Sequence, residues 1–186
     1  LMSSLELAVD IYETKSKELM DELLDNIDIF KKNMEKYKNI NIYNDDDRTK
    51  IFISSKELGM AGYELDEMLR MNYNVQVELS NYYGILLICT IGNDRGDFKS
   101  LEYALADISL NHISNKNIGY IDYPMNIPVQ ELSPREAFYN EKKSVKIYDS
   151  IGKICGEYII PYPPGICLVS PGAIITKEVI DYIFVC

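Results

Sequence analysis

The chain of 186 residues has no tryptophan and only one histidine. It also lacks an uncharged apolar run of about eighteen residues, the length a membrane-spanning helix needs, so no such span is expected. The lone histidine, His112, would have to supply everything in a Ser-His-Asp set, which excludes it as a credible triad base. The four cysteines, Cys89, Cys155, Cys167 and Cys186, include no CxxC pair and none lies close to His112 in sequence. No metal site is expected. No Gly-rich phosphate loop is present, since Gly92-Asn93-Asp94-Arg95-Gly96 fits no nucleotide fingerprint. Basic charge is scarce as well: 29 acids against 19 bases give a net charge of -10. A phosphate backbone needs the opposite surface, so no nucleic acid is expected as a partner. The lysines lie in polar stretches, and none is an obvious anchor for a carbonyl cofactor. Taken alone, the chain presents no catalytic residue.

What is present is a core-forming chain, 47% hydrophobic, of a size for one good core or two small ones. Cys89 and Cys155 sit in apolar runs that suit buried reduced thiols, and no signal peptide is visible, so the cytoplasm is the expected compartment. Residues 3–37 read as one long amphipathic helix through Leu5, Val9, Tyr12, Leu19, Leu23, Ile27, Phe30, Met34 and Tyr37. A strand is expected at 48–55 and a short helix after Gly62. Alternation in "NVQVELS" predicts a strand with Val75, Val77 and Leu79 on one side. The unalternating "YGILLICTIG" (83–92) predicts a strand covered on both faces. Asn93 or Asp94 caps a helix that buries Phe98, Leu101, Leu105 and Ile108. Residues 1–115 thus read as a small α/β subdomain and 116–132 as a linker. Residues 133–186 read as a second domain, with a Ser133-Pro134 helix start, strands at "SVKIYD" and "KICGEYII", and a last helix from Thr176.

Two features carry the functional question. Glu78 projects from the polar side of an apolar strand, where a carboxylate can receive an ammonium or guanidinium group. A solvated strand face or a local ion pair is the plainer alternative, as it is for Glu157. The second feature is "EYIIPYPPGICLVSPG" (157–172), in which Pro161, Tyr162, Pro163, Pro164 and Gly165 interrupt a strand-like run, followed by Pro171-Gly172. Proline fixes φ and removes a ladder donor, so this backbone is rigid before any partner arrives. It is either a structural elbow or a wall held for a ligand or a partner subunit. The 15 tyrosines suit an interface that is partly apolar and partly wet, although a core role fits most of them.

"SPREAFY", followed by "IGKICGEYIIPYPPGICLVSPG" and "ITKEVIDYI", resembles the C-terminal domain of the bacterial Orn/Lys/Arg decarboxylases. These are pyridoxal-phosphate enzymes of the aspartate-aminotransferase fold. "GYELDEMLRMNYNVQVELSNYYGILLICTIG" is similar to the small subdomain of the same family, in its shorter arginine/lysine type without a wing domain. The resemblance implies an α/β (α+β) chain, small subdomain first and C-terminal domain second. It implies that the cofactor lysine, in a Ser-x-His-Lys motif that this sequence lacks, belongs to a domain preceding Leu1. The helical start at Leu1 and the apolar stop at Cys186 likewise read as the edges of a piece of a longer polypeptide. It further implies a homo-oligomer with active sites at subunit interfaces, and Glu78 at the distal cationic end of a basic amino acid substrate. Pro161 to Gly165, with Pro171 and Gly172, would shape the site near its entrance. Cys167 and Ala173 depart from the family pattern, which has proline and glutamate there. A non-catalytic ligand-sensing module, or an oligomerisation domain, on the same scaffold is the reading of another class.

Overall fold

The long helical stripe of the sequence is buried along only half its length. In the computed structural model, which describes residues 2–44, 46–114, 118–119, 124, 126–162 and 165–184, helix α1 spans Met2–Met34. Leu23, Ile27, Phe30 and Met34 are buried, whereas Leu5, Val9 and Tyr12 are exposed. The buried half lies along α3 (Arg95–Asn111), with the Phe30 and Phe98 rings 6.1 Å apart.

Four antiparallel strands form the sheet, in the order β1-β2-β4-β3. They are β1 (Asn41–Asn44), β2 (Lys50–Ser54), β3 (Leu79–Asn81) and β4 (Gly84–Ile88). Strand β1 went unread in the sequence because its asparagines mask a short alternation. β4 departs from its expected burial. Ile85 and Leu87 point into the core while Ile88 is exposed, so the strand is covered on one face only. The inward residues Ile51, Ile53, Ile85 and Leu87 join Leu65 and Leu69 of α2 (Gly62–Tyr73), with Phe98, Leu101, Leu105 and Ile108 of α3, in one cluster. Burying side chains of this size stabilises by roughly 1.5–3 kcal/mol each.

The caps follow the sequence. Asp94 Oδ1 accepts from Gly96 N at 2.6 Å and Asp97 N at 3.1 Å, and Asp97 Oδ2 accepts from Asp94 N at 3.2 Å. Such a cap contributes about 1 kcal/mol. At the end of α2, Asn74 adopts φ 55°, a left-handed position that asparagine tolerates.

The chain divides into two compact units, Leu1–Ile118 and Gly119–Cys186. The second has helices α4 (Pro134–Tyr139) and α5 (Lys177–Ile183). Ser133 Oγ accepts from Glu136 N at 3.2 Å, and Glu136 Oε2 accepts from Ser133 N at 2.9 Å. That reciprocal cap is the one the sequence announces. Thr176 caps α5 through Val179 N. The two strands expected at "SVKIYD" and "KICGEYII" do not form. Ile147–Ser150 is a 3-10 turn, and Ile154 and Ile159 make only isolated bridges, to Ile174 and Val169. Neither segment finds a partner long enough for a ladder. The unit is held by a small cluster of Cys155, Leu168, Val169, Ala173, Ile175, Val179 and Ile180. Among the described residues no helix is long and apolar enough to cross a membrane.

Candidate functional site

Glu78 stands at a break in β-sheet pairing. Its N–H donates to Leu86 O at 2.9 Å, yet Leu79 is the register partner of Leu86. Glu78 thus lies just outside β3, where the pairing with β4 ends. Val77 and Ser80 are buried while Glu78 is exposed and Leu79 half-buried. The strict alternation expected from Val75, Val77 and Leu79 therefore fails at Leu79, and residues 74–78 lie outside any strand.

The structure around Glu78 is tightly determined. Ser80 Oγ donates to Asp66 Oδ2 at 2.9 Å, tying β3 to α2. The other Asp66 oxygen is buried with no hydrogen-bond partner. Asn81 Oδ1 accepts from Tyr83 N at 2.9 Å and Gly84 N at 3.1 Å, closing the β3–β4 turn. A Cβ on Gly62 would lie 2.1 Å from Gly84 O and 2.2 Å from Asn81 O. Helix α2 thus starts directly against the hairpin, and only glycine permits that approach.

Pyridoxal phosphate needs a lysine in a protected site, a phosphate cradle and a partner for its ring nitrogen. Every described lysine except Lys31 is exposed. Lys31 is half-buried on α1, where burial pulls its pKa down against the opposing pull of Asp28. It faces no phosphate cradle, and the described residues do not fit the cofactor. His112 sits at the end of α3 with Nε2 3.7 Å from Asp107 Oδ2. Glu157 is exposed, and its carbonyl accepts from Cys155 Sγ at 2.9 Å.

In the second unit the proline-rich stretch is a loop closed at its base. Ile159 N donates to Val169 O, and Leu168 N donates to Ile159 O, both at 2.9 Å. Within it, Gly165 N donates to Pro161 O at 3.0 Å. Gly165 has φ 90°, and Tyr162 is 85% exposed. Pro163 and Pro164 lie outside the described residues. Pro171 and Gly172, by contrast, are buried at the centre of the unit. Gly172 O accepts from Glu131 N at 2.9 Å and Leu132 N at 3.1 Å, while Gly172 N donates to Cys155 O at 2.7 Å. The sequence reading missed Gln130, whose side chain bonds to Ser170, Pro171 and Leu132. A glutamine inside a loop of prolines and asparagines gives no sequence signal of this kind. Ala173, where the family pattern has a glutamate, is buried, bridges to Gln130 and borders a cleft. A cleft of about 350 Å³ is lined by Pro128, Gln130, Cys167, Leu168, Ser170 and Val179, among others.

Residues 121–186 match the family model of the Orn/Lys/Arg decarboxylase C-terminal domain. The chain is 39% identical over 140 residues to an arginine decarboxylase of Bacillus anthracis, covering 74% of the chain and 28% of that protein. It is 41% identical over 142 residues to an arginine decarboxylase of Halalkalibacterium halodurans, covering 75% of the chain and 29% of that protein. The constitutive lysine decarboxylase of E. coli superposes with a TM-score of 0.73 over 98% of the chain and 38% of that protein, at 17% identity. At that identity the likeness carries the fold alone. The chain spans less than a third of the length of these curated relatives.

Proposed function

The chain belongs to the Orn/Lys/Arg decarboxylase family, and on that premise we propose that it is the C-terminal portion of a basic amino acid decarboxylase. The observation that carries the reading is the identity with arginine decarboxylases across three quarters of the chain. The reaction is loss of the α-carboxylate of arginine, lysine or ornithine as CO2, giving a polyamine or its precursor. Pyridoxal phosphate, bound by a preceding domain of the same polypeptide, supplies the electron sink. The exposure of nearly every described lysine supports that assignment.

In this reading Glu78 binds rather than reacts. The hydrogen bond from its N–H to Leu86 O holds its backbone, and its carboxylate accepts hydrogen bonds from the cationic end of the substrate. On the second unit, the loop residues Pro161, Tyr162 and Gly165 take the site-shaping role expected of the proline-rich stretch, and buried Pro171 and Gly172 support the backbone behind them. The working enzyme is a cytoplasmic homo-oligomer. The test is decarboxylation of the three basic amino acids by the 186-residue chain and by the full gene product, each with added pyridoxal phosphate. The expected result is turnover by the full gene product alone, with Glu78→Gln lowering kcat/KM by roughly 10- to 100-fold, the loss of one or two charged hydrogen bonds. Turnover by the 186-residue chain itself would overturn the assignment of the cofactor lysine.

The lack of fit to the cofactor favours a second reading, a ligand-sensing module on this scaffold. Binding of a basic amino acid to the chain in calorimetry, with no decarboxylation by the full gene product, would select it.

A further inference from the structure

Strand β3 has three residues and lies at the edge of the sheet, with β4 as its one neighbour. An edge strand this short has few ladder bonds to hold it in place. Glu78 precedes it and is joined to β4 through its own N–H, which donates to Leu86 O at 2.9 Å. What ties β3 to a different element is a side chain. Ser80 is 4% exposed, and its Oγ donates to Asp66 Oδ2 on α2 at 2.9 Å. Gly62 lies four residues before Asp66, hence on the same face of α2. A Cβ there would collide with Asn81 O and Gly84 O of the same hairpin. One face of α2 therefore meets the hairpin twice, by close approach at Gly62 and by a hydrogen bond at Asp66.

Asp66 is a costly group to place at that contact. Its Oδ1 is buried with no hydrogen-bond partner, and a buried polar atom left unpaired destabilises the fold. An asparagine or threonine acceptor would hold Ser80 without leaving a carboxylate half satisfied. What the carboxylate adds is strength, because a hydrogen bond to an ionised acceptor is roughly twice as strong as a neutral one. Such a tie offsets its cost where the place of the strand matters, and two residues before Ser80 stands Glu78.

We infer that Asp66 is a positioning residue for substrate recognition. Through Ser80 it fixes β3, and with it the place from which Glu78 reaches the cationic end of a basic amino acid. The inference rests on the role proposed above for Glu78. Asp66 touches no substrate, and it acts on binding of the distal cation rather than on the bond that breaks at the α-carbon. A Glu78 segment left loose must be ordered when substrate arrives, and that ordering weakens binding.

The experiment is steady-state decarboxylation by the full gene product with added pyridoxal phosphate, on the basic amino acid that it turns over. Asp66→Ala and Ser80→Ala each raise KM about 3- to 10-fold, the range of one net hydrogen bond, and change kcat less than KM. Asp66→Asn, which keeps an acceptor for Ser80, recovers most of that loss. In a Glu78→Gln background Asp66→Ala gives no further rise in KM, because the carboxylate it positions is gone. A merely structural Asp66 instead lowers kcat and the melting temperature alike in both backgrounds, and that result overturns the inference. So does an unchanged KM in Asp66→Ala. Where Asp66→Ala fails to fold, Ser80→Ala cuts the same bond from its other end and is read in the same way. Glu78→Gln with undiminished kcat/KM overturns the role of Glu78 itself, a result read from that single variant and distinct from any outcome at Asp66.

Discussion

Gln130 Nε2 donates to Pro171 O at 2.7 Å, joining two residues 41 positions apart that the sequence presents in a linker and in the tail of a proline-rich loop. The same amide nitrogen donates to Leu132 O at 2.6 Å, and Gln130 Oε1 accepts from Ser170 Oγ at 2.9 Å. A small unit with few regular elements has no ladder to satisfy its backbone carbonyls. One side-chain amide substitutes for it at this junction.

Replacing Gln130 with alanine leaves two backbone carbonyls and a serine hydroxyl without these partners. The expected cost is roughly 1–3 kcal/mol, read as a lower urea midpoint with unchanged slope. Gln130→Glu loses the donor but keeps the acceptor, so its cost falls in the same range and does not return to the native value. A midpoint unmoved by Gln130→Ala would show that water replaces the amide fully.

Gly172 and Gly152 separate two reasons for needing glycine. Both have positive φ, 90° and 78°, but a Cβ on Gly172 would lie 2.1 Å from Leu132 O while Gly152 faces open space. Gly152→Ala carries only the left-handed backbone penalty, about 1–2 kcal/mol. Gly172→Ala adds a steric clash with a carbonyl that already accepts no closer approach, so its loss of stability exceeds that of Gly152→Ala. Thermal melts of the two variants compare them directly, and equal losses would contradict the clash.

The fold was legible wherever one residue carries the signal locally. Asp94 and Ser133 announced their helices, and the stripe of α3 was read from spacing alone. What escaped depends on pairing across the chain. The end of pairing at Glu78 is defined by Leu86, β1 by β2, and the false strands of the second unit by the partners they lack. The candidate site divides in the same way. Glu78 was visible as a carboxylate in an apolar run, whereas Gln130 became visible only through its three bonds.

The thiols should react in order of exposure. Cys167 is exposed, while Cys89 and Cys155 are buried, and burial pushes the Cys89 thiol up to about 11, opposed only weakly by Lys31. Reactivity follows the thiolate fraction and access. Among the described cysteines, alkylation at neutral pH, mapped by peptide mass, is expected at Cys167 first, and at Cys89 and Cys155 only on adding denaturant. Rapid native-state labelling of Cys89 would contradict its burial against the sheet.

Tyr73 and Asp107 join the C-terminal ends of α2 and α3 and give opposite pH signatures. The Tyr73 hydroxyl donates to Asp107 Oδ2 at 2.5 Å. Burial first, and then this carboxylate, raise the Tyr73 pKa from 10.0 to about 12. A raised value means the folded state holds the proton more tightly, so the contribution to stability is complete below pH 10 and lost as pH rises toward 12. The Tyr73 hydrogen bond and then that of Asn111 lower the Asp107 pKa below its ordinary 3.8. Its contribution is present above that value and lost as pH falls through the folded one. Tyr73→Phe removes the donor, so both the alkaline and the acid falls in stability become shallower. Subtracting the variant from the native protein separates Tyr73 from Cys89, which also titrates in the alkaline range. In the folded protein, tyrosinate absorbance should lose a component titrating near pH 12 on Tyr73→Phe. A titration unchanged by that substitution would mean that the hydroxyl is solvated and does not join the two helices.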